Sequence, residues 1–235
     1  MHKLLSLALA LGLFSGARAQ TDSDGWEALF DGDSLTGWKL LNGKATYEVK
    51  DGTILGKTVA GSPNSFLATV EEFGDFELEF EVKVDDNLNS GVQIRSRVVS
   101  EEDLAAHGAG KKKPALGRFF GPQVEIEAGP GQAGWIYGEA TGRGWISPEP
   151  GNKDKKVSQH SHFRNGEWNH YRVVAEGSRI RTWINGAPVA DLTDESLFKT
   201  HPQGKIALQV HSIGKNTGPF QVAWRNIRIK RHQGG

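Results

Sequence analysis

From Asp75 to Val84 the chain alternates strictly, with Phe76, Leu78, Phe80, Val82 and Val84 set against Glu77, Glu79, Glu81 and Lys83. Successive side chains of a strand point to opposite faces, so this run folds as an antiparallel strand with one buried and one wet face. The same period recurs at 91–98, where Val92 and Ile94 alternate with Gln93 and Arg95. Further on, Tyr171–Ala175 leads through Glu176-Gly177-Ser178 to Arg179–Ile184, and Asn185-Gly186 turns the chain into Ala187–Asp191. Asn-Gly is the strongest two-residue hairpin signal, because both turn residues must tolerate positive φ. Further strands are expected near 46–50, 53–56, 65–70, 122–128, 134–138, 204–211 and 219–230.

Composition agrees. Glycine supplies 30 of 235 residues, near twice the ordinary ~7 % share, and turn signals fall every 8–12 residues with no long helical period. An all-β, two-sheet antiparallel β-sandwich or jelly roll follows. No repeat or interdomain linker interrupts residues 20–235, which read as one domain. The irregular stretch Ser100–Gly117 has a short helical possibility at Glu101–His107; it is a solvated surface loop or a lid over a cleft. Absence of cysteine removes disulfides, thiol nucleophiles and cysteine-rich zinc sites. Lys+Arg and Asp+Glu both total 28, which argues against a nucleic-acid partner, since such binders carry a basic face.

The N-terminus reads as a sorting signal. Lys3, an apolar run from Leu4 to Phe14 and Ala17-Arg18-Ala19 form a charged start, a short apolar core and an Ala-x-Ala site. The run is shorter than the ~20 residues a membrane span needs. Cleavage after Ala19 and export to the periplasm or medium are expected.

Three strands carry large polar residues on the face opposite their apolar one. Gln93 and Arg95, then Gln123, Glu125 and Glu127, then Gln209 and His211 alternate with Val92, Ile94, Val124, Ile126, Leu208 and Val210. On the concave outer face of one sheet this row would line a polar cleft suited to sugar hydroxyls, since amides and Arg donate, carboxylates accept and His does either. The alternative is an ordinary solvated face. Trp135, Tyr137 and Trp145, in a glycine-rich segment from Gly134 to Trp145, could stack on sugar rings or pack in the core. His160 and His162 lie two apart, a weak zinc signal in what reads as a loop. No glycine pattern marks a nucleotide site.

Several of these segments, in order, resemble the 3-keto-disaccharide hydrolase domain family. They are Gly25-Trp26-Glu27-Ala28-Leu29-Phe30-Asp31-Gly32, Leu35-Thr36-Gly37-Trp38, Asn89-Ser90-Gly91-Val92-Gln93-Ile94-Arg95-Ser96, Gln123-Val124-Glu125-Ile126-Glu127, Gly166-Glu167-Trp168-Asn169-His170-Tyr171-Arg172, Asn185-Gly186, Leu208-Gln209-Val210-His211 and Arg225-Asn226-Ile227-Arg228-Ile229. The resemblance implies a concanavalin-like jelly roll and action on glycosides already oxidised at carbon 3. Many members have Glu-x-Gln where this chain has Gln123-Val124-Glu125, often followed by an Asp that this chain lacks.

A ketone at carbon 3 acidifies the carbon-2 proton, so a base can remove it and the group on carbon 1 can leave. Water then adds to the enone. The expected assignment is Glu125 and His211 as base and acid in either order and Arg95 on the enolate oxygen. Gln93, Gln123, Gln209 and Glu127 would contact the sugar with the three aromatic residues. A divalent metal replacing or assisting Arg95 stays open, with Glu125 and His211 the first ligands it would draw. Two other classes compete: a laminarinase-like glycosidase, disfavoured because Gln123 replaces one of the usual acids, and a non-catalytic carbohydrate-binding or cell-surface module. The oligomeric state is not legible.

Overall fold

The chain pairs its strands into two antiparallel sheets that face each other across one core. The computed structural model describes residues 21–106, 115–128, 131–147 and 161–232. The expected sorting signal, residues 107–114 of the expected lid and His160 lie outside these residues. In chain order the elements are β1 (Trp26–Ala28), β2 (Trp38–Leu41), β3 (Thr46–Lys50), β4 (Thr53–Lys57), β5 (Ser65–Thr69), β6 (Phe76–Val84), β7 (Asn89–Val98), α1 (Glu101–Ala106), β8 (Phe119–Glu127), β9 (Ile136–Glu139), β10 (Gly144–Trp145), β11 (Asn169–Glu176), β12 (Arg179–Ile184), β13 (Ala187–Thr193), α2 (Glu195–Thr200), β14 (Lys205–Val210) and β15 (Gln221–Arg231). One sheet runs β13-β12-β11-β6-β15-β4-β3 with β1 on β15, and the other runs β10-β9-β8-β7-β14-β5-β2. This is the expected two-sheet jelly-roll sandwich. Strands β1, β2 and β10 and helix α2 were not legible. Among the described residues no helix is long and apolar enough to cross a membrane.

The alternation sorts residues as expected. Phe76, Leu78, Phe80, Val82 and Val84 are buried in the main core, each worth roughly 1.5–3 kcal/mol relative to exposure. Their partners face outward into an ion-pair ladder: Glu77 with Arg172, Glu79 with Arg228, and Glu81 with Arg225. Guanidinium groups of this ladder lie over the Trp183, Trp26 and Trp168 rings, so the wet face is closed by stacking as well as charge. Asn185 and Gly186 both have positive φ, 50° and 82°, and join Ile184 to Ala187 as a tight hairpin.

In the second sheet Val92, Ile94, Val124, Ile126, Leu208 and Val210 are all buried in the main core. The opposite face follows in register. Gln209 pairs with Gly91 and Gly91 with Glu125; Ala207 pairs with Gln93, Gln93 with Gln123, and Gln123 with Tyr137. After Gln93 the order breaks. From Gln93 to Arg97 β7 advances four residues while β8 advances three, from Gln123 to Phe120. Against β14, three residues from Gln93 to Ser96 face two from Ala207 to Lys205. This is a β-bulge, with Arg95 at φ 46°, and it reverses which residues face the core. Gly204 accommodates it, because a Cβ there would lie 2.5 Å from the Arg95 carbonyl carbon.

Candidate active site

The bulge takes Arg95 out of the expected site. Its side chain points toward the other sheet, is 2 % exposed, and donates to the carbonyls of Gly74 and Gly177 and to Asp75 Oδ1 at 2.6–2.8 Å. A buried charge persists only when paired, and here the pairing ties the turns before β6 and after β11 to β7. Arg95 is therefore a structural residue and not the enolate partner. Trp135 is a second correction. Gly134, at φ 80°, turns the chain just before it, and the indole packs into the main core.

The remaining polar row comes together. Asn89, Gln123, Glu125, Gln132, Tyr137, Glu139, Trp145 and His211 line one pocket of about 190 Å³ on the outer face of the second sheet. Two larger depressions lie around Phe73 and Arg231. There Arg231 is held by Glu27 and Glu71, Asp75 by Arg95, and His232 by Glu176, so these charged groups are engaged in ion pairs of the scaffold.

Glu125 is the centre of the pocket. Its carboxylate is 4 % exposed and accepts from Asn89 Nδ2 at 3.1 Å and Gln123 Nε2 at 2.7 Å. Burial pushes its pKa up to about 8, against the pull of the two amides, and the charges of Glu139 and Glu127 add to the rise. At neutral pH this group holds a proton and can give it up. Gln123 can lie across to Glu125 because position 91 is glycine: a Cβ there would sit 2.6–2.7 Å from Gln123 side-chain atoms.

His211 closes the opposite wall. Its Nδ1 lies 2.8 Å from the Ser212 carbonyl oxygen. A carbonyl only accepts, so Nδ1 carries the hydrogen and Nε2 is the ring nitrogen able to take a proton in the neutral ring. Glu127 is half-buried beside it. Burial raises its pKa, while the Gln132 backbone N–H and His211 oppose the rise. Tyr137 and Trp145 meet edge to face at 5.2 Å between ring centroids and form an aromatic corner. Burial and the Glu139 and Glu125 charges raise the Tyr137 pKa, which keeps it a phenol donor.

Gln93 and Gln209 sit on the expected face but are fully buried behind Gln123. Gln93 Nε2 donates to Gln123 Oε1 at 3.5 Å, and Gln123 Nε2 donates to Gln209 Oε1 at 3.4 Å. They support the pocket without lining it. Asn89, Gln132 and Glu139 were missed. Asn89 shares the parity of Gly91 and Gln93, and Glu139 that of Tyr137, so both had a signal; Gln132, in a turn, had none. Glu139 is paired with Arg118 and accepts from Asn64 Nδ2 at 3.3 Å. Among the described residues no group of three or more His, Cys, Asp or Glu could hold a metal ion, although Glu125, Glu139 and His211 all line this pocket.

Comparison with known proteins places the chain in a family and its fold among known folds. The chain matches the model of the 3-keto-alpha-glucoside-1,2-lyase-like domain over residues 25–230. No curated protein matches it. Among solved structures, a "putative glycosyl hydrolase" from Parabacteroides distasonis is 21 % identical, with 89 % of this chain and 95 % of that one covered and a TM-score of 0.55. The kappa-carrageenase of Pseudoalteromonas carrageenovora, solved with an oligotetrasaccharide of kappa-carrageenan, is 11 % identical over 85 % and 90 % of the two chains, with a TM-score of 0.55. The carbohydrate-binding module CBM66 from Bacillus subtilis is 13 % identical over 82 % and 94 %, with a TM-score of 0.50. At these identities the likeness is one of fold. The match over nearly all of the described residues shows that the chain belongs to the 3-keto-alpha-glucoside-1,2-lyase-like domain family.

Proposed function

We propose that this is an exported carbohydrate-active protein that cleaves 3-keto-glycosides by eliminating the carbon-1 substituent and hydrating the product. The observation that carries this reading is one pocket holding a carboxyl protonated near neutral pH, Glu125, and a histidine with Nε2 available as acceptor, His211. His211 Nε2 takes the carbon-2 proton. That electron pair becomes the carbon-1–carbon-2 double bond as the carbon-1–oxygen bond breaks, and Glu125 protonates the departing oxygen. For hydration Glu125, now ionised, takes a proton from water as its oxygen attacks carbon 1, and His211 returns its proton to carbon 2. Both groups end as they began. The Tyr137 hydroxyl and the Gln132 amide are the donors available to the enolate oxygen in place of Arg95. Trp145 offers an apolar face to the ring or the leaving group.

Family membership and the sugar-active proteins that share the fold support a carbohydrate ligand. The test offers purified protein a 3-keto-glucoside and the corresponding ordinary glucoside, each with and without a chelator. Turnover of the keto sugar alone is expected. Turnover of the ordinary glucoside would indicate a conventional glycosidase; binding without turnover of either would indicate a binding module. Loss of activity with chelator would add a metal to the residues named here.

A further inference from the structure

A chain of hydrogen bonds crosses from one wall of the pocket to the other. Arg118 pairs with Glu139 Oε1, and its guanidinium lies 5.1 Å from the centre of the Phe66 ring. Asn64 Nδ2 donates to the same Glu139 oxygen at 3.3 Å. Asn64 Oδ1 accepts from the Ser212 N–H at 2.8 Å, and the Ser212 carbonyl accepts from His211 Nδ1 at 2.8 Å. Glu139 lies on β9 and Asn64 just before β5, far apart in the strand order of the sheet, so the β9–β10 hairpin must curl over the outer face to bring them together.

We propose that Asn64 is a positioning residue that fixes His211 as the proton acceptor and ties its orientation to the Arg118–Glu139 pair on the opposite wall. Both ends of the Asn64 amide are dictated: a backbone N–H must meet its oxygen and a carboxylate must meet its nitrogen. Asn64 is therefore locked, and it anchors Ser212 through that residue's N–H. His211 Nδ1 reads the carbonyl on the other side of the same residue, across the Ser212 Cα. A hydrogen bond to the next residue's carbonyl is local and weakly constrained by itself. Held by Asn64, it selects the Nδ1–H tautomer and leaves Nε2 toward the substrate, the device by which a neighbouring acceptor sets a catalytic imidazole. Asn64 touches no reacting atom in this scheme. The pairing of Val210 with Ser65 runs on to set residue 64 opposite residue 211, one position from Ser212, so strand register brings the linked groups close.

The inference rests on the proposed role of His211, and the test separates the two. In the full-length protein, ¹⁵N spectra of the histidine rings, with His211 assigned by its loss in His211→Gln, report the tautomer directly. The wild type is expected to show His211 protonated at Nδ1. Asn64→Leu, which keeps size but loses both hydrogen bonds, is expected to shift it toward a mixture of tautomers. Asn64→Asp keeps the acceptor for Ser212 but sets a carboxylate against Glu139, and is expected to fall between them. If the 3-keto-glucoside is turned over, kcat should drop about tenfold in Asn64→Leu with KM changed little, a fraction of the full general-base effect of about 10²-fold or more. A normal tautomer in folded Asn64→Leu would overturn the proposal whatever the activity. A shifted tautomer in a protein that turns over no keto sugar would uphold the positioning and refute the catalytic reading instead.

Discussion

Replacing Gly91 by alanine disturbs Glu125 indirectly, through its neighbour Gln123. The new methyl carbon would lie 2.6 Å from Gln123 Cγ and Cδ and 2.7 Å from Nε2, well inside van der Waals contact. Gln123 has to swing away, and its 2.7 Å hydrogen bond to Glu125 Oε1 goes with it. A hydrogen bond to a charged group is worth about 1.5–3 kcal/mol, and one pKa unit is about 1.4 kcal/mol. The lost donor stabilises the ionised form only, so the Glu125 pKa should climb by about 1–2 units from its value near 8. Overpacking should cost about 1–3 kcal/mol of fold stability, offset by about 0.4–1 kcal/mol because alanine restricts the unfolded chain. A ¹³C titration of the glutamate carboxyls, with Glu125 assigned from the spectrum of Glu125→Gln, measures the first effect, and urea unfolding the second. If Glu125 titrates in Gly91→Ala as in the wild type, the steric argument for glycine at this position is wrong.

Other perturbations separate scaffold from site. A carboxyl whose folded pKa is raised binds more protons in the folded state, so its contribution to stability is present at low pH and is lost as pH rises from about 4.5 through about 8. Glu125→Gln should therefore gain stability relative to wild type across that window, as read by urea midpoints at successive pH values; a constant difference would contradict the burial argument. Asp75→Ala strands the buried Arg95 and should cost about 3–5 kcal/mol, while Arg95 itself plays no part in turnover. A destabilised variant that keeps its kcat at low temperature is expected, and a stable one with kcat abolished would restore Arg95 to the site. Trp135→Ala should lose about 3–5 kcal/mol as a core truncation, whereas Trp145→Ala, at a half-buried position on the edge of that core, should lose less stability and weaken sugar binding in calorimetry.

Much of this was legible because strand period makes parity equivalent to facing. Once Val92, Val124 and Leu208 are assigned to the core, Gln93, Gln123, Glu125 and Gln209 must share the other side, and they do. Arg95 broke the rule because a single extra residue in β7 reverses parity beyond Gln93, and that insertion appears only against the partner strands. Trp135 broke it because the turn at Gly134 redirects the chain. The depth of Gln93 and Gln209 was illegible for a tertiary reason: nothing local says that the β9–β10 hairpin curls over the sheet and carries Glu139 to Asn64. Burial of the Glu125 carboxyl, which raises its pKa, is likewise a tertiary effect.

Removal of the carbon-2 proton is the step that defines the proposed chemistry, and isotope at that carbon reports on it. A 3-keto-glucoside carrying deuterium at carbon 2 would be turned over in ordinary water by the wild type, Glu125→Gln and His211→Gln, with the product followed by mass spectrometry and the rate compared with unlabelled substrate. The wild type is expected to react more slowly on the labelled sugar, its product losing deuterium only to the extent that the His211 imidazolium exchanges with water before returning a proton to carbon 2, and each variant is expected to be slowed by about 10²-fold or more. Product that keeps its deuterium at carbon 2 and forms at an unchanged rate would mean direct displacement at carbon 1, and would contradict the elimination mechanism.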